Sequence, residues 1–145
     1  MPLPQLSVHI ENQPGRLFQV TDALGSSGIN IRGLSLQEGE VSGTLRLITS
    51  DIGASRNVLM ALDIPGTVEE VVAVSVPDKP GALASVLKPL YEADVNLRYS
   101  YSLILGRNAV IIMRLQDNDR GEAVLRNAGI EPIGLKALFD GGTED

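Results

Sequence analysis

Two seven-residue stretches carry the residue types best suited to hold a small charged ligand. They are Glu11-Asn12-Gln13-Pro14-Gly15-Arg16-Leu17 and, 66 positions further on, Pro77-Asp78-Lys79-Pro80-Gly81-Ala82-Leu83. In each, a proline–glycine pair precedes a helical pattern. The backbone N–H groups of Gly15, Arg16 and Leu17, and of Gly81, Ala82 and Leu83, are therefore expected to be free at the positive end of a helix. Such an end suits a carboxylate or a phosphate, and glycine lets a ligand approach the backbone closely. A plainer reading is that Pro-Gly starts a helix well, with the proline in the first turn where its missing N–H does no harm. On the loop alone, both readings stand.

Asn30 and Asn96, also 66 apart, open the strands that follow these helices. Each side chain can cap the turn, or offer an amide oxygen to an ammonium and an NH₂ to a carboxylate. Arg32 and Arg98 lie two residues further along, with Ser100 and Ser102 extending the row, and read as a solvated strand face. Asp117-Asn118-Asp119 has the composition of a cation loop but lacks its glycine and distal glutamate, so it reads as a helix cap. No metal and no cofactor are expected.

The 145 residues include no cysteine, one histidine (His9), five aromatics and a net charge of −6. Disulfides, thiolate metal sites, cysteine nucleophiles and any site needing two imidazoles are excluded. Both halves are acidic, which speaks against nucleic acid and anionic membranes as partners. Neither a signal-peptide pattern nor an apolar run of membrane-spanning length is present. The expectation is a cytoplasmic protein.

The elements that position the loops come from a repeat. Shifted by 66, Val8 falls on Val74, Val20 on Val86, Leu24 on Leu90, Asp51 on Asp117, Leu59 on Leu125 and Ile64 on Ile130, without a gap. Each copy alternates as a strand (Leu6, Val8, Ile10), then shows a helical stripe (Leu17, Val20, Leu24; Leu83, Val86, Leu90). Gly28 ends the first helix. Two more strands, a helix capped by Asp51 and a fourth strand complete the copy. The order β-α-β-β-α-β, twice, predicts an α+β fold of two ferredoxin-like units with antiparallel sheets and helices on one face. The boundaries expected are residues 1–70 and 71–139, with an acidic tail at 140–145. One uninterrupted strand over Thr67–Val76 is expected to serve both units. Gly33 predicts a bulge in the second strand of the first copy, whereas the second copy alternates from Val95 to Leu105 with no slip. Pro89 predicts a kink.

With these residues in place, the chain resembles the ACT domain family. The pattern strand–Glu11-Asn12-Gln13-Pro14-Gly15-Arg16-Leu17–helix–Gly28-Ile29-Asn30-Ile31 carries the likeness. Ile64-Pro65-Gly66-Thr67 resembles the ACT module of serine-inhibited phosphoglycerate dehydrogenases. The second copy departs at Asp78 and at Ala93-Asp94. The resemblance implies a non-catalytic allosteric sensor that binds a free amino acid at an ACT–ACT interface. It also implies a homodimer or an intramolecular ACT–ACT pair, and a regulated enzyme as partner. Asn12 and Asn30 match ligand-contacting positions of the serine-sensing modules. The histidine of those modules is Ile10 here, and His9 leaves the opposite strand face. The ligand carboxylate is then expected on the Gly15–Leu17 N–H groups, with its ammonium on Asn30. Asp78 would repel a carboxylate, so the two sites are expected to differ. Two other functions fit the topology. An acylphosphatase-like hydrolase would use Arg16 and Asn30, but Ala82 replaces the arginine in the second copy. An RNA-recognition module would need aromatics on the first and third strands, where Leu6, Val8, Leu45 and Leu47 stand instead.

Overall fold

The computed structural model describes residues 3–11 and 13–140. The chain divides into two compact units, one of Pro4–Glu69 and one of Leu3 with the residues from Glu70 on. In the first, alternation builds β1 (Leu3–Glu11), and the helical stripe builds α1 (Arg16–Ser26). They are followed by β2 (Ile31–Gln37), β3 (Ser42–Thr49), α2 (Ile52–Met60) and β4 (Gly66–Pro77). The second unit has α3 (Ala82–Glu92), β5 (Leu97–Leu105), β6 (Asn108–Leu115), α4 (Asn118–Asn127) and α5 (Leu135–Asp140). Hydrogen-bonded strand order is β2-β3-β1-β4 in the first unit and β4-β6-β5 in the second. β4 is one unbroken strand of 12 residues, as the absence of Gly or Pro between Thr67 and Val76 predicts.

The repeat is visible in the packing. In the first core, Leu6, Val8 and Ile10 of β1 meet Leu45 and Leu47 of β3, Val20 and Leu24 of α1, and Leu59 of α2. Their counterparts 66 positions on, Val72, Val74, Val76, Ile111, Met113, Val86, Leu90 and Leu125, form the second core. Truncating one such buried leucine to alanine costs about 2–5 kcal/mol.

The strand-to-helix loops are tight turns. Gly15 has φ 83 and ψ −9, Gly81 φ 85 and ψ −7. The N–H of Arg16 donates to the Gln13 carbonyl (3.3 Å), and that of Ala82 to the Lys79 carbonyl (3.2 Å). Proline followed by a left-handed glycine, closed by an i to i+3 bond, is a type II turn. Pro14 and Pro80 therefore precede the helix rather than occupying its first turn, because the glycine is the N-cap.

Asp51 and Asp117 cap α2 and α4 through bonds from Ala54 N (3.0 Å) and Arg120 N (3.1 Å). α3 runs through Pro89, which lacks the N–H that would reach Ser85 O. β2 bulges as predicted between Ile31 and Gly33, which makes Arg32 the extra residue. β5 bulges too, between Leu97 and Tyr99 around Arg98, contrary to the unbroken alternation expected there. The slip leaves Leu97 39% exposed. The last strand of the second copy is a single bridge, Ile133 to Ala73, next to the donor-lacking Pro132.

Helices α1 to α4 end alike, with a left-handed residue and a 6→1 bond such as Ile29 N to Leu24 O (3.0 Å) and Val95 N to Leu90 O (2.9 Å). The left-handed residue is Gly28 after α1 and Gly129 after α4, but Asp63 after α2 and Asp94 after α3. A side chain there crowds the following carbonyl. Asp94→Gly is expected to raise stability by about 0.5–1 kcal/mol, after allowing for glycine's greater freedom when unfolded, and Gly28→Asp to lower it by a similar amount. Urea denaturation reads both, and a stability loss in Asp94→Gly would contradict the account.

Candidate functional site

The type II turn aims the end of β1 into α1, and the β2–β3 hairpin closes over the same end of the sheet. Ile10 pairs with Gly43 and Glu11 with Ser42 across β1 and β3. β2 and β3 stay paired only as far as Gln37 and Thr44, so the chain from Glu38 to Val41 is released as a loop. Between this loop and the first turn of α1 lies a cavity of about 290 Å³ lined by Ile10, Glu11, Gln13, Arg16, Leu17, Leu36, Glu38, Gly39 and Gly43.

Its chemistry is mixed. Ile10 belongs to the core and is 5% exposed, while Leu36 is 49% exposed. Glu11 and Glu38 are exposed carboxylates on the rim. The Arg16 Nη1 donates to Gln19 Oε1 at 2.6 Å. Its Nε is buried and has no acceptor among the described residues, an arrangement that protein groups normally avoid. A guanidinium with an unfilled donor, facing carboxylates across an apolar wall, can hold a ligand carrying both charges.

The expected residues separate into groups. Glu11, Arg16 and Leu17 line the cavity. Gly15 lines an adjoining polar hollow of about 390 Å³ with Pro14 and Gln19. Of the helix-start N–H groups, that of Arg16 is not free, since the turn uses it. Asn12 lies outside the described residues. Asn30 is not strictly in β2 and sits at the other end of α1. An 11-residue helix is about 16 Å long, so Asn30 and the Gly15 turn of one copy cannot grip the same small ligand. Its backbone is instead clamped to Ser50, which accepts from Asn30 N (2.9 Å) and donates its own N–H to Asn30 O (2.9 Å). Asn96 occupies the same place, with Gln116 N donating to its carbonyl (2.9 Å). His9 is exposed, on the face opposite Ile10.

The second copy has a cavity at the corresponding position, lined by Val76, Pro77, Asp78, Lys79, Ala82, Leu83, Ser102, Ala109 and Ile111. Gly81 forms its turn. The volume is about 150 Å³. Ala109 replaces Gly43, and β5 and β6 stay paired down to Leu105 and Asn108, so no loop is released over the opening. Ser102 replaces Leu36 and Ala82 replaces Arg16.

Leu36, Glu38, Gly39 and Gly43 were not among the residues expected from sequence. The one available signal was the repeat itself: Leu36 aligns with Ser102 and Gly39 with Leu105. Among the described residues, no cluster of three His, Asp or Glu could hold a metal ion. Among the same residues, no helix is long and apolar enough to cross a membrane.

The family described as an ACT domain pair matches residues 1–139. The chain belongs to the ACT domain family. Protein BT0572 from Bacteroides thetaiotaomicron is 32% identical over 97% of both chains, with a TM-score of 0.90. The ligand-free regulatory subunit of aspartate kinase from Thermus thermophilus is 14% identical over 86% of this chain and 91% of that one, with a TM-score of 0.63. An aspartate kinase from Clostridium acetobutylicum is 15% identical over 86% of this chain and 32% of its own, with a TM-score of 0.56. These last two likenesses are of fold. No curated protein matches. Within this ACT pair and among the described residues, the Arg16 side chain makes one exposed bond and its buried Nε goes unfilled. Arg16→Ala removes a bond of small net worth together with an unfilled donor, and is therefore expected to change the unfolding free energy by less than about 1 kcal/mol. A loss of several kcal/mol on denaturation would show that the guanidinium serves the fold.

Proposed function

We propose that this ACT pair is a non-catalytic regulatory protein that binds a free amino acid in the first-copy cavity. The observation that carries the reading is the meeting, in one cavity, of the Arg16 guanidinium, whose Nε lacks an acceptor among the described residues, with the Glu11 and Glu38 carboxylates. A zwitterion presents a carboxylate for the first and an ammonium for the others. Two carboxylates beside a single arginine oppose a phosphate, which weighs against a phosphate-cleaving enzyme. The regulatory part of the reading draws support from the aspartate kinase structures, one of them a regulatory subunit and the other called an allosteric enzyme. The sensor is proposed to act in the cytoplasm on a partner enzyme, as a homodimer or an ACT–ACT pair within the chain. Asn30 and Asn96 would then contact ligand only from a neighbouring module.

In the second copy, Ala82 and Pro77 replace Arg16 and Glu11, and Asp78 and Lys79 are the charged lining of a cavity half the size, so calorimetry should find one tight site per chain. A thermal-shift screen against the twenty amino acids tests the reading directly. A ligand at 100 times its dissociation constant stabilises by about 2.7 kcal/mol, a shift of roughly 9 °C for a chain of this size. No shift with any amino acid would sink the proposal, and two equivalent sites would sink the asymmetry. Light scattering at twice 15.4 kDa would support the homodimer, and a monomer would leave the internal pair alone.

A further inference from the structure

We infer that the first-copy cavity selects an amino acid with an aliphatic side chain, and that Leu36 sets this preference. The inference rests on the amino-acid reading above and specifies its ligand class.

Charge excludes some classes. Glu11 and Glu38 on the rim outnumber Arg16, so a second acidic group on the ligand meets repulsion. A basic side chain would satisfy the carboxylates but leave the apolar wall uncovered. That wall is made by Ile10, Leu17 and Leu36. Ile10 is held in the core, so it is a fixed floor. Leu36 is different: it sits on β2, opposite Leu45, with 49% of its surface exposed. It is the last leucine before the hairpin leaves the ladder. A ligand side chain lying between Ile10 and Leu36 removes this surface from water, at a gain that grows with each methylene buried. A hydroxyl in the same place loses its water with no polar partner on that wall.

The second copy serves as an internal comparison. Where the first has Leu36, Arg16 and Glu11, it has Ser102, Ala82 and Pro77. The positions of Glu38 and Gly39 are filled by Ile104 and Leu105, locked in β5. The changes that replace the exposed leucine of the wall and the arginine thus occur together, in the copy whose cavity is half the size and whose charged lining is Asp78 and Lys79.

Titration calorimetry on the full chain tests this with leucine, isoleucine, alanine, serine and aspartate, and with 4-methylpentanoate and 3-methylbutylamine, each lacking one of leucine's charges. Leucine or isoleucine is expected to bind at least about tenfold more tightly than alanine, serine or aspartate. Both single-charge analogues are expected to be weaker by about tenfold or more. Leu36→Ser is expected to shrink the leucine-over-alanine preference at least about fivefold, whereas Ser35→Ala, on the neighbouring position of the same strand, leaves it unchanged. A preference for serine or aspartate, or an unchanged preference in Leu36→Ser, overturns the inference while the amino-acid reading survives. Failure of every amino acid to bind overturns both.

Discussion

A glycine at φ near +85° holds the arrangement together in each half of this protein. The chain leaves β1 or β4 at one end of the sheet and must reverse at once into a helix that crosses back over it. The type II turn achieves this in two residues, because proline presets the first backbone angle and only glycine takes the second without strain. The position of α1 relative to β1 follows from that turn. So does the cavity, since the first turn of α1 forms one wall and the hairpin facing it the other. A side chain at Gly15 meets no neighbour within 4 Å, so the constraint is one of backbone angle and not of space.

Much of this was legible from sequence because it is local. The repeat, the helical stripes, the aspartate caps and the unbroken β4 each depend on residues a few positions apart. The differences arise where a distant strand, or a boundary of one residue, decides. The run from Val95 to Leu105 alternates without fault, yet β5 carries a bulge, because pairing with β6 decides the register. Leu97 looks inward by pattern and is exposed in fact. Pro14-Gly15 differs from the first-turn reading for another reason: Gly15 takes the left-handed position just before the helix, one residue from the placement expected.

The site divides along the same line. Glu11, Arg16 and Leu17 belong to one loop and were found. Leu36, Glu38, Gly39 and Gly43 come from a hairpin some twenty residues away, and their arrival depends on where β2 and β3 stop pairing. Asn30 shows the converse: its recurrence at Asn96 suggests a ligand contact, and the structure also gives its backbone the task of fastening the start of β2 to Ser50. Recurrence in a duplicated chain marks shared ancestry before it marks chemistry.

β4 has a bearing on how the protein is made. Its first residues, Gly66 to Glu69, complete the first unit, and the rest of the same strand pairs with β6 in the second. Domains of a growing chain tend to fold in the order of synthesis. On the ribosome, the first unit has all its strands once Glu69 emerges, before β5 or β6 has left the exit tunnel. The strand it then fixes continues, already extended, into Val72–Pro77, where β6 will add. The later half of the protein thus starts from a strand begun in the earlier half, and part of the ordering entropy of that strand is met before its own hairpin emerges.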